Sequence, residues 1–367
     1  MGFDSKIFDD AGLFSTVDTL TIVCKITQDY LETYFSEINM VLHDKIGKRI
    51  LVAGGAGFIG SQLCDRLLER RDVSLLVCVD NLWTGLADNI AHISDPRFKF
   101  ELSDIETFQT SERFDEVYHL ASPASPPWYM AAPRRTISAN LGGALRLLDL
   151  LSKGGRFCFF STSEVYGDPK VSPQPESYRG SVDCTGPRSS YDESKRVTES
   201  LLFEERRVNG LDLRVTRLFN VYGPRTRVDD GRAVSNFISQ ALNGEPLTVY
   251  GDGLQTRSWG YVDDIVEGLA RYFWRDPIDY AGPLNIGNDR EIPVLDVAKY
   301  ISDIMGGCKI VHEPSPPQDP TNRCPDLTLA RKILPGWECE VRYEDGVRMT
   351  LEWFRENMAQ VDKVRNA

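Results

Sequence analysis

The chain is short of positive charge, of histidine and of long apolar runs, and each shortage removes a class of function. Lysine and arginine number 42 against 54 aspartates and glutamates, a formal net charge of -12. A field of that sign repels polyanions and argues against a nucleic-acid partner. The four histidines (His43, His92, His119, His312) show no metal-ligand spacing, so no metal is expected. No stretch approaches the ~18 apolar residues that a membrane helix needs, so no membrane span is expected. The eight cysteines include no CxxC pair, and Cys64, Cys78 and Cys158 fall inside apolar segments. Reduced, packed thiols in a cytoplasmic protein fit that distribution better than a disulfide framework. Asp4, Asp9 and Asp10 stand where a secretory signal would carry basic residues.

What is present is enough for a full core. At 367 residues, 41% of them hydrophobic, the chain is expected to form one large or two interlocked domains. Short apolar runs (ILVAG at 50–54, SLLVCVD at 74–80, EVYHLA at 116–121, RFCFFS at 156–161, LRVTRLF at 213–219) lie between longer amphipathic segments. Buried strands alternating with helices predict an α/β fold built on a parallel, doubly wound sheet of Rossmann type. The C-terminal third differs, mixing helical patterns at 231–243, 293–305 and 344–358 with short strands and Pro/Gly-rich loops. It predicts a smaller α/β cap that binds substrate. The expected division is a main-sheet domain over 49–220, rejoined by 258–283, and a cap over 221–257 and 284–367. Residues 1–48 show helical spacing, with Tyr30, Leu31, Tyr34, Phe35 and Ile38 on one stripe, and are expected to form a packed helical extension.

GGAGFIG at 54–60 follows one such strand and opens a helix. Gly54, Gly57 and Gly60 permit a tight turn, close approach of backbone to a pyrophosphate, and tight helix–strand packing. The helix N-terminus then offers free N–H groups and a positive dipole end to phosphate. Asp80 closes the second strand at the expected distance of about 20 residues, where a carboxylate accepts from a ribose 2′-OH and repels a 2′-phosphate. NAD is therefore expected over NADP. Phe58, Ile59, Asn81 and Leu120 are further candidates for this site, and Asp104, after the third strand, is a candidate contact to the adenine.

Tyr191 and Lys195 stand in YDESK at the start of a predicted helix, where i and i+4 share a face. An ammonium beside a phenol favours the phenolate, so the Tyr191 pKa is expected to fall from ~10 towards neutrality. Such a group can take a hydroxyl proton while hydride leaves for a nicotinamide. Thr162 ends a predicted central strand, and active sites in open α/β sheets form at such carboxyl ends.

The glycine turn, Asp80, HLASPASPPWY at 119–129, STSEVYGDP at 161–169, YDESKR at 191–196, RLFNVYGPR at 217–225, the run at 230–264 and NRCPD at 322–326 together resemble an extended short-chain dehydrogenase/reductase. Within that superfamily they most resemble the UDP-glucuronate decarboxylases, over residues 49–340. The resemblance implies that Thr162, Tyr191 and Lys195 are the catalytic hydroxyl, base and lysine, and that Glu164, with Ser163 beside it, handles protons at the sugar ring. It implies that Asn220, Arg257 and Arg323 hold the diphosphate or the sugar, with a general-acid role open for Arg257. Arg225, Arg232 and Tyr250 are lesser substrate candidates. A homodimer is implied on the same ground. The chain departs from the family where Ser194 replaces a usual glycine, Arg179 a tryptophan and Cys324 a lysine.

The implied reaction uses NAD catalytically: oxidation at C4 of UDP-glucuronate, loss of CO2 from the resulting β-keto acid, and return of the hydride. A 4-epimerase and a 4,6-dehydratase share the first oxidation and are the rival readings. A non-catalytic dinucleotide sensor is a rival of another class, disfavoured by the intact Thr162, Tyr191 and Lys195 set. The 4,6-dehydratases read Thr-Asp-Glu where this chain has Thr162, Ser163 and Glu164, and a serine is too weak an acid to expel the C6 hydroxyl.

Overall fold

A computed structural model describes residues 47–278, 280–315 and 322–357. The chain divides into two units, residues 1–48 and 49–367. The expected N-terminal helical stripe falls outside the described residues.

Seven strands form the main sheet: β1 Lys48–Ala53, β2 Val73–Asp80, β3 Phe98–Leu102, β4 Phe114–His119, β5 Leu151–Thr162, β6 Asp212–Leu218 and, much later in sequence, β11 Pro283–Ile286. Their order is β11-β6-β5-β4-β1-β2-β3, the doubly wound arrangement expected from the alternating strands and helices. The direction of winding reverses between β1 and β4, and there the carboxyl ends of neighbouring strands open a crevice.

Strand periodicity decides which face each residue serves. Along β1, Ile50 and Val52 enter one core cluster while Leu51 and Ala53 enter the other. A sheet buried on both faces needs this all-apolar composition, since neither side can be left to water. Helix α1 (Phe58–Leu68) packs Leu63, Cys64 and Leu67 on the first face. Three further helical pieces, α2 (Pro126–Ala131), α3 (Pro133–Ile137) and α4 (Gly143–Leu150), follow β4, with a one-turn π bulge at Ser138–Gly142 between the last two. Helix α5 (Ser189–Asn209) follows, and Ala144, Leu147 and Leu150 of α4 join Leu202 of α5 on the second face. It stops at Gly210, whose φ of 70° is the left-handed conformation that glycine adopts without strain.

The cap is built from the remaining short elements. These are β7 (Val221–Tyr222), α6 (Ala233–Leu242), β8 (Leu247–Tyr250), β9 (Thr256–Ser258), β10 (Gly260–Tyr261), α8 (Val294–Ile304), β12 (Glu291–Pro293), β13 (Ile310–Glu313), β14 (Asn322–Arg323) and α10 (Tyr343–Glu356). The predicted helices at 231–243, 293–305 and 344–358 correspond to α6, α8 and α10. Phe237, Ile238, Leu247, Val249, Ile301, Leu351 and Phe354 give the cap a core of its own. Helix α7 (Val262–Phe273) returns to the main sheet through Ile265 and Leu269. The division expected at 283 falls on the first residue of β11, so the sheet also takes Leu284, Asn285 and Ile286. Helix α9 (Thr328–Ile333) likewise buries Ala330 and Ile333 in the main-sheet core. The later segment thus serves both parts, because a short cap strand and a main-sheet helix alternate along it.

Candidate active site

The chain ends of β1, β4, β5 and β6 and the cap enclose a cavity of about 550 Å³. At one side lies the glycine turn. Gly54 has φ of 83°, and a Cβ there would stand 2.7 Å from the Ala121 nitrogen. At Gly60 a Cβ would stand 2.2 Å from the Gly54 oxygen. Both glycines are therefore required by packing. Gly57 is the N-cap of α1 and supplies no side chain to the helix end, which leaves its N–H groups for an incoming phosphate. Gly54, Gly57, Phe58, Ile59, Gly60 and Leu120 all line the cavity, so the residues present fit a dinucleotide.

Asp80 is buried at the end of β2, and burial pushes its carboxyl up while backbone bonds oppose the shift. Its two oxygens accept from the backbone nitrogens of Ala56 (3.0 Å) and Leu82 (2.8 Å), so it braces the glycine turn. Asp104 is bonded to the Asn81 amide and pairs with Arg135 at 3.3 Å. Asp80, Asn81 and Asp104 do not line the cavity itself.

The catalytic candidates converge from two elements. Thr162 and Glu164 lie where β5 ends, and Tyr191 and Lys195 lie on the first turns of α5; all four line the cavity. Thr162 stands close enough to Tyr191 for its hydroxyl to favour the phenolate, and its Oγ1 accepts from the Glu164 nitrogen at 3.2 Å. Lys195 donates from Nζ to the Phe160 carbonyl at 2.7 Å, and its Nζ stands 5.9 Å from the Tyr191 ring centre. Burial drives the Lys195 pKa down to about 7. The expected fall of the Tyr191 pKa is not found in the protein alone. Burial pushes this phenol up, and Thr162 only partly opposes it. The reason is physical: taking water away from the phenol costs the phenolate more than Thr162 and Arg232 return, and the charges of Glu164 and Asp192 add to that cost.

Glu164 is the electrostatic centre of the sugar end. Its Oε2 accepts from Arg188 at 2.7 Å and from Arg323 at 3.1 Å. Burial alone would raise its pKa, but the positive field of Arg323, Arg188 and Arg257 prevails and holds it ionised below the usual range. Arg323 is fully buried and also donates to the Ser163 carbonyl. It therefore positions Ser163 and Glu164, a task the reading of Arg323 as a diphosphate ligand did not include. Strand pairing sets Arg257 on β9 opposite Arg323 on β14. Arg225 lines the cavity but pairs with Asp65 at 2.7 Å, and its backbone takes φ of 68°, with its carbonyl accepting from the Asn89 amide at 3.2 Å. Arg232 is paired with Asp230 and lies close enough to act on Tyr191 electrostatically. Asn220 lines the wall, and Tyr250 sits exposed at its rim.

Three residues of the site were not singled out by the sequence reading. Tyr129 lies stacked on Tyr191, its hydroxyl buried without a protein partner. Arg188 precedes α5, and Asp192 follows Tyr191 with its carboxyl pushed up to about 7 by burial and by Glu164. Tyr129 and Asp192 stand inside quoted segments (HLASPASPPWY, YDESKR) and Arg188 outside them, and only the fold shows that the three meet. The departures are absorbed. Ser194 accepts from the Asn140 amide at 2.9 Å and donates to the Tyr191 carbonyl at 3.0 Å. Arg179 is exposed and outside the cavity lining.

A doubly wound sheet with a glycine turn, a terminal acid on β2 and a Thr–Tyr–Lys set defines a dinucleotide-dependent enzyme of the short-chain dehydrogenase class. The model of the NAD dependent epimerase/dehydratase family matches residues 50–287, and the chain belongs to that family. NAD is its cofactor. The chain is 46% identical over 310 residues to UDP-glucuronic acid decarboxylase 5 of Arabidopsis thaliana, covering 84% of this chain and 89% of the relative. Among solved structures it is similar to a UDP-glucose 4-epimerase of Thermotoga maritima with UDP-glucose (32% identity, TM-score 0.74, 84% of this chain and 99% of that one). It is also similar to a UDP-glucuronic acid 4-epimerase of Bacillus cereus in complex with UDP-glucuronic acid and NAD (28% identity, TM-score 0.74, 84% and 99%).

Proposed function

We propose that the protein decarboxylates UDP-glucuronate through a 4-keto intermediate, giving UDP-xylose or the UDP-4-keto-pentose. The observation that carries this reading is the crowding of Arg188, Arg257 and Arg323 around Glu164, beside Thr162, Tyr191 and Lys195. A wall with three guanidinium groups suits a substrate that carries a carboxylate and a diphosphate, in a chain whose net charge is otherwise negative. The similarity to UDP-glucuronic acid decarboxylases supports it.

When bound, NAD supplies a reversible acceptor for the hydrogen at C4. Tyr191 takes the C4 hydroxyl proton, and Thr162 shares a hydrogen bond with the same oxygen. The new C4 ketone makes the C5 carboxylate a β-keto acid. CO2 leaves, its bonding pair passing into an enolate whose charge rests on the C4 oxygen, where the Tyr191 and Thr162 hydroxyls stabilise it. The enolate carbon C5 then takes a proton from solvent, relayed through the ionised Glu164, and return of the hydride to C4 with the Tyr191 proton to its oxygen gives UDP-xylose. Burial keeps water from the reacting carbons and strengthens each of these bonds.

The domain division, with a dinucleotide half and a sugar-binding cap, is proposed on the same footing. So is a homodimer, supported by exposed Ile137, Leu145, Val197 and Val208 on neighbouring helices α3, α4 and α5. No described helix is long and apolar enough to cross a membrane. The cysteines among the described residues are free thiols, which supports a cytoplasmic location.

Incubating the purified protein with NAD and UDP-glucuronate tests the reading. Release of CO2 with a UDP-pentose product is expected; a UDP-galacturonate product without CO2 would assign a 4-epimerase instead.

A further inference from the structure

Four side chains form a ladder beside the cleft, and two of them, Trp128 and Arg227, line it. The Arg135 guanidinium carbon lies 4.2 Å from the Trp83 ring centre. Trp83 meets Trp128 edge to face, with ring centres 6.4 Å apart and planes at 86°. The Arg227 guanidinium carbon lies 4.9 Å from the Trp128 ring centre. Both ends are tied down: Arg135 to Asp104 at 3.3 Å, and Arg227 to both oxygens of Asp229 at 2.8 Å.

The rungs come from separate segments. Trp83 stands three residues beyond Asp80, Arg135 is on α3, Trp128 is on α2, and Arg227 lies in the loop after β7. Local sequence therefore does not hold them together, and the contacts close a gap between the dinucleotide half and the sugar half. Trp128, Thr84 and Arg227 line the same cavity as Gly54, Gly57 and Gly60. A dinucleotide whose pyrophosphate rests at the Gly57 end of α1 runs along the carboxyl edge of the sheet, its adenosine half towards β2 and β3. Trp83, three residues beyond Asp80, and Arg135, paired with Asp104 beyond β3, stand on the side where that half would lie.

We propose that Trp83 and Trp128, braced by Arg135 and Arg227, form the outer wall of the dinucleotide site and set how long the cofactor stays bound. The inference rests on the assignment of NAD as a cofactor that is regenerated in each cycle. Such a cofactor has no reason to leave, and its escape in the reduced form would strand the keto sugar. An edge-to-face aromatic pair and a guanidinium over an indole are each worth a factor of a few in an equilibrium, and for the dinucleotide to leave sideways these contacts must part.

The test uses the whole protein loaded with NADH and chased with excess NAD, with release followed by the loss of bound-NADH fluorescence. Trp83→Ala and Trp128→Ala are each expected to speed release roughly tenfold, as removing a pair and its flanking cation implies. Trp83→Phe and Trp128→Phe, which keep a ring in place, are expected to restore most of the retention. Arg135→Ala changes an exposed residue and is expected to speed release a few-fold. Alanine variants that keep the wild-type unfolding midpoint and release NADH at the wild-type rate would overturn the proposal. Should the tryptophan variants fail to fold, an unchanged rate in Arg135→Ala overturns it as well. Wild-type protein that binds no NADH would instead overturn the cofactor assignment on which the proposal stands.

Discussion

The phenol ring of Tyr129 lies flat on that of Tyr191, with ring centres 4.9 Å apart and planes 9° from parallel. One comes from α2 and the other from α5, so the stack joins the segment after β4 to the first turn of α5. Burial pushes both hydroxyls up, which means that Tyr191 is a neutral phenol in the protein alone. Its activation calls for more positive charge than Arg232 supplies, and the nicotinamide cation of bound NAD would add it.

Tyr191→Phe is expected to reduce turnover by at least about 10²-fold, the usual worth of a positioned base, while NAD and UDP still bind. The stack on Tyr129 survives in this variant, so the loss reports the hydroxyl. Single-turnover absorbance of the reduced nicotinamide checks it. A variant that kept more than about a tenth of wild-type kcat would remove Tyr191 from the role of base.

Arg323 and Arg257 are expected to behave differently although they face each other across β9 and β14. Arg323→Ala leaves the buried Ser163 carbonyl and part of the Glu164 charge without a partner. It should lower stability by about 3 kcal/mol in urea titrations, the lower end for a broken buried pair because Arg188 remains. Arg257→Ala should instead raise the dissociation constant of UDP-glucuronate in calorimetry with little change in stability. Equal unfolding midpoints for Arg323→Ala and wild type would refute the positioning role.

Glu164→Gln is expected to cut CO2 release from UDP-glucuronate sharply, because the amide neither accepts nor returns a proton. The same site should give no 4-keto-6-deoxy sugar from UDP-glucose or dTDP-glucose, since the Ser163 hydroxyl is too weak an acid to expel the C6 hydroxyl. Mass analysis of the products decides. A 4-keto-6-deoxy sugar forming as fast as CO2 would make the enzyme a dehydratase.

His119 carries a pH signature. It is fully buried at the end of β4, its Nε2 bonded to the Asn140 carbonyl at 3.0 Å, and burial holds its pKa down to about 3. Unfolded, the imidazole returns to its ordinary 6.5. Between those values only the unfolded chain takes up the proton, so stability falls as pH drops from 6.5 towards 3. The slope from this group is at most roughly 1.4 kcal/mol per pH unit. In His119→Gln, which keeps an N–H for Asn140, urea unfolding at several pH values should show a shallower acid-side slope. An identical slope would mean that His119 titrates normally in the fold.

The sequence by itself determined what depends on short spacing. Alternating apolar runs set the strands and the two faces of the sheet, because a strand has a two-residue period. The glycine turn with Asp80, and Tyr191 with Lys195 one helical turn apart, were legible for the same local reason. The tertiary structure decided what depends on burial and on distant partners. Arg225 turned out to be paired with Asp65, and Arg323 to support Glu164 across a sequence gap of 159 residues. The rise of the Tyr191 pKa belongs here too. A sequence shows that a lysine lies beside a phenol, but the cost of charging either depends on how much water the rest of the fold has removed from around both.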